Sequence, residues 1–313
     1  MKNCILCKSE NVAIYQNIKF ELLQELYLEN LNIDISEEIK NKDSIYVYKC
    51  KNCQLEFFDP ENAGSASFYE ELQLKRNIYY SPDRKEFDVA SKFINQNDSV
   101  LEVGSGSGFF AQKIKTKNYV GLEFNDEAIK KAKEIGISLK KESIEEYAKN
   151  NDNEYDIVCS FHVLEHVKDP HEFIAASLKK LKSNGKLIIA VPCDNSVLTS
   201  NHNHVLNLPP HHITRWKIST LKKLESIFNL KVIDYKVISI TEKINLHNYT
   251  KELFNQKVVN TLYPNYKFLI APSKLNKIKR YTGFLFNRLN IHKFYKDKEI
   301  VGENVIFVFQ KNK

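Results

Sequence analysis

Glycines at alternate positions form the first group in this chain whose spacing suits chemistry. Gly104, Gly106 and Gly108 directly follow a short strand-like run, 101–103, and precede a helical stretch. Glycine is used where φ must be positive or where a side chain would keep the backbone away from a ligand, and a helix start presents unpaired N–H groups. The spacing differs by one residue from the Gly-x-Gly-x-x-Gly of dinucleotide sites. The loop therefore predicts a cofactor site of a kind other than NAD.

An acidic residue ends the next predicted strand. The apolar run 119–122 is followed by Glu123, at the position where a carboxylate can accept hydrogen bonds from both hydroxyls of a ribose. Open α/β sheets bind ligands at the carboxyl ends of their strands. The glycine loop and the strand-end acid together predict a nucleoside-binding site.

Paired cysteines form a second candidate site. Two Cys-x-x-Cys pairs occur near the N-terminus, contributed by Cys4, Cys7, Cys50 and Cys53. Because no histidine precedes Cys53, zinc there would have four thiolate ligands in a closed tetrahedral site, which is structural rather than catalytic. A disulfide is the poorer interpretation in a cytoplasmic protein, and a coincidental or labile redox pair is the other alternative. Lys8 and Gln54 stand where glycine often follows such pairs.

Motifs in a fixed order resemble the class I S-adenosylmethionine (SAM) methyltransferases. After the glycine loop and Glu123, the stretch 155–167 (YDIVCSFHVLEHV) resembles the fourth strand of that family and its "LEHV" helix start. The stretch 178–192 resembles the next helix, turn and fifth strand, and 304–310 resembles the antiparallel last strand. The resemblance implies an α/β fold with a Rossmann-like seven-stranded core, and SAM as the cofactor.

The resemblance also assigns cofactor-binding residues. The glycine loop would approach the methionine portion of SAM, Glu102 would face its amino end, and Glu123 would hold the ribose. The full predicted set is Glu102, Gly104, Ser105, Gly106, Gly108, Glu123, Phe124, Ser143, Ile144 and Phe161. For Phe124 and Ile144, predicted to contact the adenine, a place in the core is the alternative.

Histidines are the candidates for the chemistry of the methyl acceptor. Methyl transfer is an in-line displacement, so the enzyme aligns the acceptor and removes a proton when the acceptor is a hydroxyl. Histidine, which titrates near neutral pH, suits that task. The predicted catalytic residues are His162, His211 and His212, and the predicted substrate contacts are Tyr79, Tyr80, His166 and Arg215. Packing is the alternative role for His166, and a metal site at His202, His204 and His211 is disfavoured because no carboxylate has matching spacing.

Composition indicates a globular enzyme. The chain has 313 residues, of which 42% are hydrophobic and 27% charged, enough for one large core and a small accessory module. No apolar run is long enough to span a bilayer, and no apolar signal region follows Met1, which predicts a cytoplasmic protein. The net charge of +7 permits an anionic substrate without requiring one.

The chain is predicted to divide at three places. Residues 1–59 form a zinc-binding module and 60–85 an aromatic connector or lid. Residues 86–313 form the methyltransferase core, in which 241–299 are a basic, partly helical insert before the last strand.

The predicted function is O-methylation of a sugar or nucleotide-activated sugar for capsule or lipopolysaccharide. The sugar rests on the segment 209–216 (PPHHITRW), which resembles zinc-bearing methyltransferases of bacterial surface-polysaccharide and deoxysugar pathways. RNA methylation is an alternative that needs a basic face with exposed aromatic side chains, so a nucleic-acid partner is disfavoured. C- or N-methylation of a deoxysugar, and SAM binding without catalysis, are the others. The sequence predicts no oligomeric state.

Overall fold

The computed structural model describes residues 2–40, 42–75, 84–193, 203–238, 243–262, 269–270, 273–289 and 304–313. The strands are β1 Val12–Lys19, β2 Ser44–Cys50, β3 Glu56–Asp59, β4 Ser99–Val103, β5 Asn118–Leu122, β6 Leu139–Lys140, β7 Tyr155–Phe161, β8 Leu181–Pro192, β9 Thr214–Arg215, β10 Leu230–Ile238 and β11 Asn304–Lys311. The α-helices are α1 Phe20–Leu31, α2 Ala66–Lys75, α3 Lys85–Ala90, α4 Phe109–Lys113, α5 Asp126–Glu134, α6 Ile144–Tyr147, α7 Pro170–Lys180, α8 Ile218–Phe228, α9 Lys243–Leu262 and α10 Ser273–Arg288.

A seven-stranded sheet forms the centre of the protein. Its strand order is β10-β11-β8-β7-β4-β5-β6, with β11 antiparallel to both of its neighbours and β8 to β6 parallel. The inner strands are nearly continuous apolar runs because helices cover both faces of a parallel sheet. The predicted Rossmann-like sheet with a reversed last strand is confirmed. The chain order reverses between β4 and β7, which is where open α/β sheets form their ligand crevice.

The helix predicted to start within the "LEHV" motif begins later. Leu164–His166 forms only one short 3₁₀ turn, and α7 begins at Pro170. The Asp169 side chain accepts a hydrogen bond from the N–H of Glu172. An aspartate cap followed by proline at the first helical position is the stronger start signal, since proline lacks only an N–H that a helix start leaves unpaired.

The N-terminal residues form a second, four-stranded sheet with the order β1-β2-β3-β9. Its last strand comes from the chain that follows β8, because Glu56 and Phe57 pair with Arg215 and Thr214. The cysteines Cys4, Cys50 and Cys53 belong to the same buried apolar cluster as the side chains of the large sheet. The N-terminal sheet therefore packs directly on the large sheet.

The N-terminal part of the chain also holds the loop before β9. The hydroxyl of the fully buried Tyr27 donates to the carbonyl oxygens of Val205 and Leu208, at 2.9 and 3.0 Å. The N–H of Phe58 donates to the carbonyl of Ile213 at 3.1 Å. We call residues 203–216 the acceptor loop, since it carries His211 and His212. Its position is set by contacts with residues far away in the sequence.

The insert before the last strand contains the helical pair α9 and α10, as predicted. The Lys279 ammonium lies 3.2 Å from the Glu252 carboxylate, and the Thr282 hydroxyl donates to the Asn255 side-chain oxygen at 2.7 Å. Among the residues that the structure describes, no helix has the length and apolarity to cross a membrane.

Candidate active site

One continuous cavity of about 820 Å³ lies at the carboxyl ends of the parallel strands. The glycine loop, Glu102, Glu123 and Phe124 line one part of it. The other part is lined by polar and aromatic side chains from three separate segments, namely Tyr69, His162, Glu165, His166, His211 and His212. The cavity therefore joins the predicted cofactor residues to the predicted acceptor residues.

The glycine loop needs its glycines. Gly104, Gly106 and Gly108 all have positive φ, at +76°, +53° and +78°, a region that residues with a Cβ rarely adopt. A Cβ on Gly104 would lie 2.2 Å from a methyl carbon of Val163. Gly108 ends the loop as the residue before α4 and is not among the residues that line the cavity. The loop is thus shaped for close approach of a ligand at Gly104 to Gly106.

Glu123 is held by backbone N–H groups. One carboxylate oxygen accepts from Gly106 at 2.8 Å, and the other accepts from Phe124 and Asn125 at 2.8 and 2.9 Å. The carboxylate is therefore fixed at the cavity wall and ties the end of β5 to the glycine loop. The Phe124 side chain is 62% exposed while lining the cavity, so the alternative that it is a core residue is excluded. Its open face suits stacking on a flat ring.

The remaining cofactor candidates have structural partners as well. The Ser143 hydroxyl oxygen accepts from the N–H of Glu146 and caps α6, and Ile144 is buried although it lines the cavity. The Ser105 hydroxyl lies 3.2 Å from the carbonyl of Leu122. Phe161 packs 4.7 Å from the ring of Phe110. These residues shape the cavity wall, and Ile144 keeps both interpretations.

Glu102 is a buried carboxyl at the end of β4. It is 1% exposed, and the hydroxyl of Tyr119 donates to its Oε2 at 2.5 Å. Burial raises the pKa of the Glu102 carboxyl to about 8, and the nearby charge of Glu123 acts in the same direction. A neutral acid at this place can become a carboxylate when a cation binds beside it.

Replacing Glu123 by alanine is expected to weaken SAM binding. The change removes the predicted ribose acceptor and the anchor of the glycine loop, so we expect a loss of about 1 to 3 kcal/mol, the range for charge-assisted hydrogen bonds. Titration calorimetry measures this, with Glu127→Ala as the control because Glu127 is an exposed acid on α5 paired with Lys131. Unchanged affinity in a folded Glu123→Ala protein would contradict the ribose assignment.

His162 lies between two buried carboxylates. Its Nε2 is 3.2 Å from Glu86 and its Nδ1 is 3.6 Å from Glu165. Burial lowers the pKa of His162, but the hydrogen bonds to Glu165 and Glu86 outweigh it, and the net direction is upward. Burial likewise acts to raise the pKa of Glu86, and the interaction with His162 reverses this and brings it to about 2. The predicted base at this position is therefore held in its protonated form, which suits positioning rather than proton acceptance.

The other three histidines meet at one place. The His166 Nδ1–H donates to the carbonyl oxygen of His211 at 2.5 Å, and the Tyr69 hydroxyl donates to the same oxygen at 3.2 Å. The rings of His211 and His212 are stacked, with centroids 4.4 Å apart. Burial lowers the pKa of His166, and burial together with the neighbouring histidines holds that of His212 well below its usual value. These imidazoles are neutral at pH 7.

The structure corrects the prediction for Arg215. Its guanidinium lies 3.7 Å from the buried Glu56 carboxylate, away from the cavity. Lys217 is 3.0 Å from the same carboxylate. The physical reason is that β9 pairs with β3, which turns Arg215 toward the N-terminal sheet. Tyr79, Tyr80 and His202 lie outside the residues that the structure describes.

The four cysteines form a compact cluster. Their sulfur atoms lie within 4.8 Å of one another, and the Cys4–Cys53 and Cys7–Cys50 sulfur distances are both 3.6 Å. These distances exceed the roughly 2.05 Å of a disulfide and match two thiolates on one zinc ion, whose Zn–S bonds are about 2.3 Å. Lys8 and Gln54 have φ of +58° and +66°, which explains why glycine is common there. The donor set therefore fits a structural zinc.

Sequence reasoning missed several residues of the cavity. Glu86 and Glu165 flank His162, and Tyr69 contacts His166. A signal existed for Tyr69, because the Phe68-Tyr69 pair marks the aromatic connector; Phe68 itself is buried in the core of the N-terminal sheet. For Glu86, the sequence gave no sign that α3 would reach the end of β7.

Comparisons with known proteins agree with this geometry. A family model described as "Methyltransferase domain" matches residues 69–235, which is more than half of the chain. The ubiquinone biosynthesis O-methyltransferase of Vibrio atlanticus is 33% identical over 99 residues, covering 29% of this chain and 42% of that protein. The protein of the same name from Hydrogenovibrio crunogenus is 30% identical over 113 residues, covering 34% and 46%. The chain thus matches less than half the length of these relatives.

Among solved structures, a SAM-dependent methyltransferase from Archaeoglobus fulgidus superposes with a TM-score of 0.49 and 16% sequence identity. The superposition covers 78% of this chain and all of that protein.

Proposed function

The chain belongs to the methyltransferase domain family and is a SAM-dependent methyltransferase; from this premise we propose that it transfers the methyl group to a hydroxyl of a small acceptor. The observation that carries the proposal is the cavity, in which the glycine loop and Glu123 share one space with His211 and His212. Bound SAM supplies an electrophilic methyl group on a sulfonium.

The chain's own residues divide the remaining work. The backbone at Gly104 to Gly106 and the carboxylate of Glu123 would hold the cofactor, with Phe124 against its adenine. Tyr69 comes from α2 and closes the cavity beside His166. We assign proton acceptance from the acceptor hydroxyl to the imidazoles of His211 and His212, because each ring has Nδ1 bonded to a protein oxygen, which orients it. His162 would orient the site, since both of its nitrogens face carboxylates.

The nature of the acceptor rests on weaker support. We propose a sugar or nucleotide-activated sugar, on the resemblance of segment 209–216 to methyltransferases of surface-polysaccharide pathways. The printed name of the curated relatives supports transfer to oxygen. It also names a different product class, so phenolic acceptors belong in the test.

Incubation with methyl-labelled SAM tests the proposal. The acceptor panel contains nucleotide sugars, sugar phosphates, phenols and transfer RNA, and labelled products are identified by mass spectrometry and by the position of the new methyl group. Label on a sugar oxygen is the expected result. Label on a phenol would overturn the sugar assignment alone, and label only on nitrogen, carbon or RNA would overturn the proposal.

SAM binding is expected to tighten as the pH rises from 6 toward 7.5. The Glu102 carboxyl, with a pKa of about 8, is neutral in this range, and the cofactor's ammonium group favours the carboxylate, so binding expels a proton. The affinity then rises with pH by up to about tenfold per unit, the limit for one proton. Calorimetry in buffers of different ionisation enthalpy counts the released protons. Glu102→Gln should abolish the release, and no release in the wild type would contradict the assignment.

A further inference from the structure

We propose that the histidines at the end of the cavity bind a divalent transition-metal ion, held by His166, His211 and His212 with the Glu165 carboxylate as a neighbouring ligand. This site is separate from the four-cysteine cluster. The ring nitrogens of the three histidines lie within 4.8 Å of one another. Two ligands on one tetrahedral zinc ion with bonds of about 2.0 Å are roughly 3.3 Å apart, so small rotations of the rings complete the site.

The hydrogen bonds of the three rings orient them as metal ligands. Each ring donates Nδ1–H to an oxygen of the protein: His166 to the His211 carbonyl at 2.5 Å, His211 to the Leu206 carbonyl at 2.9 Å, and His212 to the Asn207 side chain at 3.3 Å. Carbonyl oxygens only accept, so the proton of His166 and of His211 must be on Nδ1. The nitrogen that would bind an ion is therefore Nε2. Metal-binding histidines characteristically donate their other N–H to such an oxygen.

Glu165 adds the second observation. Its Oε1 lies 3.9 Å from Nε2 of His166 and 3.9 Å from Nε2 of His212. In these tautomers, two nitrogen lone pairs and a carboxylate oxygen point toward one another without a proton between them. A cation placed among them converts this repulsion into attraction. Among the residues that the structure describes, Glu165 Oε2 is buried and has no hydrogen-bond partner.

The donor set indicates the class of ion. Imidazole suits zinc, copper, nickel and iron, whereas magnesium and calcium prefer oxygen ligands throughout. The site opens into the cavity, so an ion there keeps a position for an oxygen of the acceptor, as catalytic metal sites do. This role rests on the proposed function: the ion would hold the acceptor oxygen and favour its ionised form, the proton passing to water, with the imidazoles as ligands. Binding of the ion does not rest on it.

Counting bound zinc tests the inference. Full-length wild-type and variant proteins are equilibrated with Zn²⁺, freed of excess ion, and measured by elemental mass spectrometry. His166→Gln and His212→Gln should each bind one ion fewer than the wild type. His247→Gln is the matched control, since His247 lies on α9, bonded to Asn287, and it should bind the wild-type number. Equal zinc in the wild type and both site variants would overturn the site.

A milder variant guards against misfolding. Asn207→Ala removes the oxygen that orients His212 and should weaken zinc binding at this site roughly 10- to 100-fold, the usual cost of losing such a partner. An unchanged zinc affinity in this variant would count against the proposed ligand geometry, and unchanged SAM affinity shows that the fold is intact. Methyl transfer is assayed in parallel. One zinc fewer in the variants without transfer to any acceptor would keep the site and overturn the proposed function, whereas transfer with equal zinc would do the reverse.

Discussion

Replacing His212 by asparagine is expected to lower the turnover number by roughly 100- to 10,000-fold, the usual contribution of a positioned proton acceptor. The imidazole lies beside His211 and His166 at the acceptor end of the cavity. The cofactor-binding residues lie at the other end, so SAM affinity should stay near the wild-type value. Steady-state kinetics and SAM calorimetry on the same protein separate the two effects.

His162 and His171 provide the comparison for this prediction. His171 donates Nδ1–H to the carbonyl of Leu6, away from the cavity, so His171→Asn should leave the turnover number unchanged. Full activity of the His211→Asn and His212→Asn proteins, with loss only in His162→Asn, would move proton acceptance to the end of β7. Full activity of all three would indicate catalysis by alignment alone.

Replacing Cys7 by serine is expected to remove zinc from the four-cysteine cluster and to unfold part of the N-terminal sheet. A structural zinc contributes about 10 kcal/mol or more to the folding of a small module. This sheet holds the acceptor loop through Tyr27 and through the pairing of β3 with β9. Backbone hydrogen exchange should therefore rise in β1 to β3 and in the acceptor loop, and the turnover number should fall with it.

Cys159→Ala is the matched control, because Cys159 is buried in β7, far from the cluster in sequence, and bonds to the Leu101 carbonyl. It should keep its zinc and the wild-type exchange pattern in the acceptor loop. Loss of zinc from Cys7→Ser without faster exchange in the acceptor loop would contradict the supporting role of the N-terminal sheet.

The cofactor end of the cavity was predictable because its signals are local. The glycine loop, the strand before it and Glu123 lie within about two dozen residues, and positive φ at Gly104 is written into the residue type itself. The paired cysteines are equally local, since each pair has fixed spacing. Alternation of apolar strands with helical stretches also predicts a parallel sheet and its crevice, because few topologies accommodate that order.

The acceptor end of the cavity was decided by tertiary structure alone. Glu86 reaches His162 across 76 positions of sequence, and His166 reaches the carbonyl of His211 across 45. No local pattern encodes such contacts, because they depend on how α3, the 3₁₀ turn after β7 and the acceptor loop pack together. The sequence therefore determined that histidines stand near the site. Only the packed structure decided that His162 is held by two carboxylates, that the other three histidines converge beside Glu165, and that Arg215 turns to Glu56, since burial and charge pairing act between segments distant along the chain.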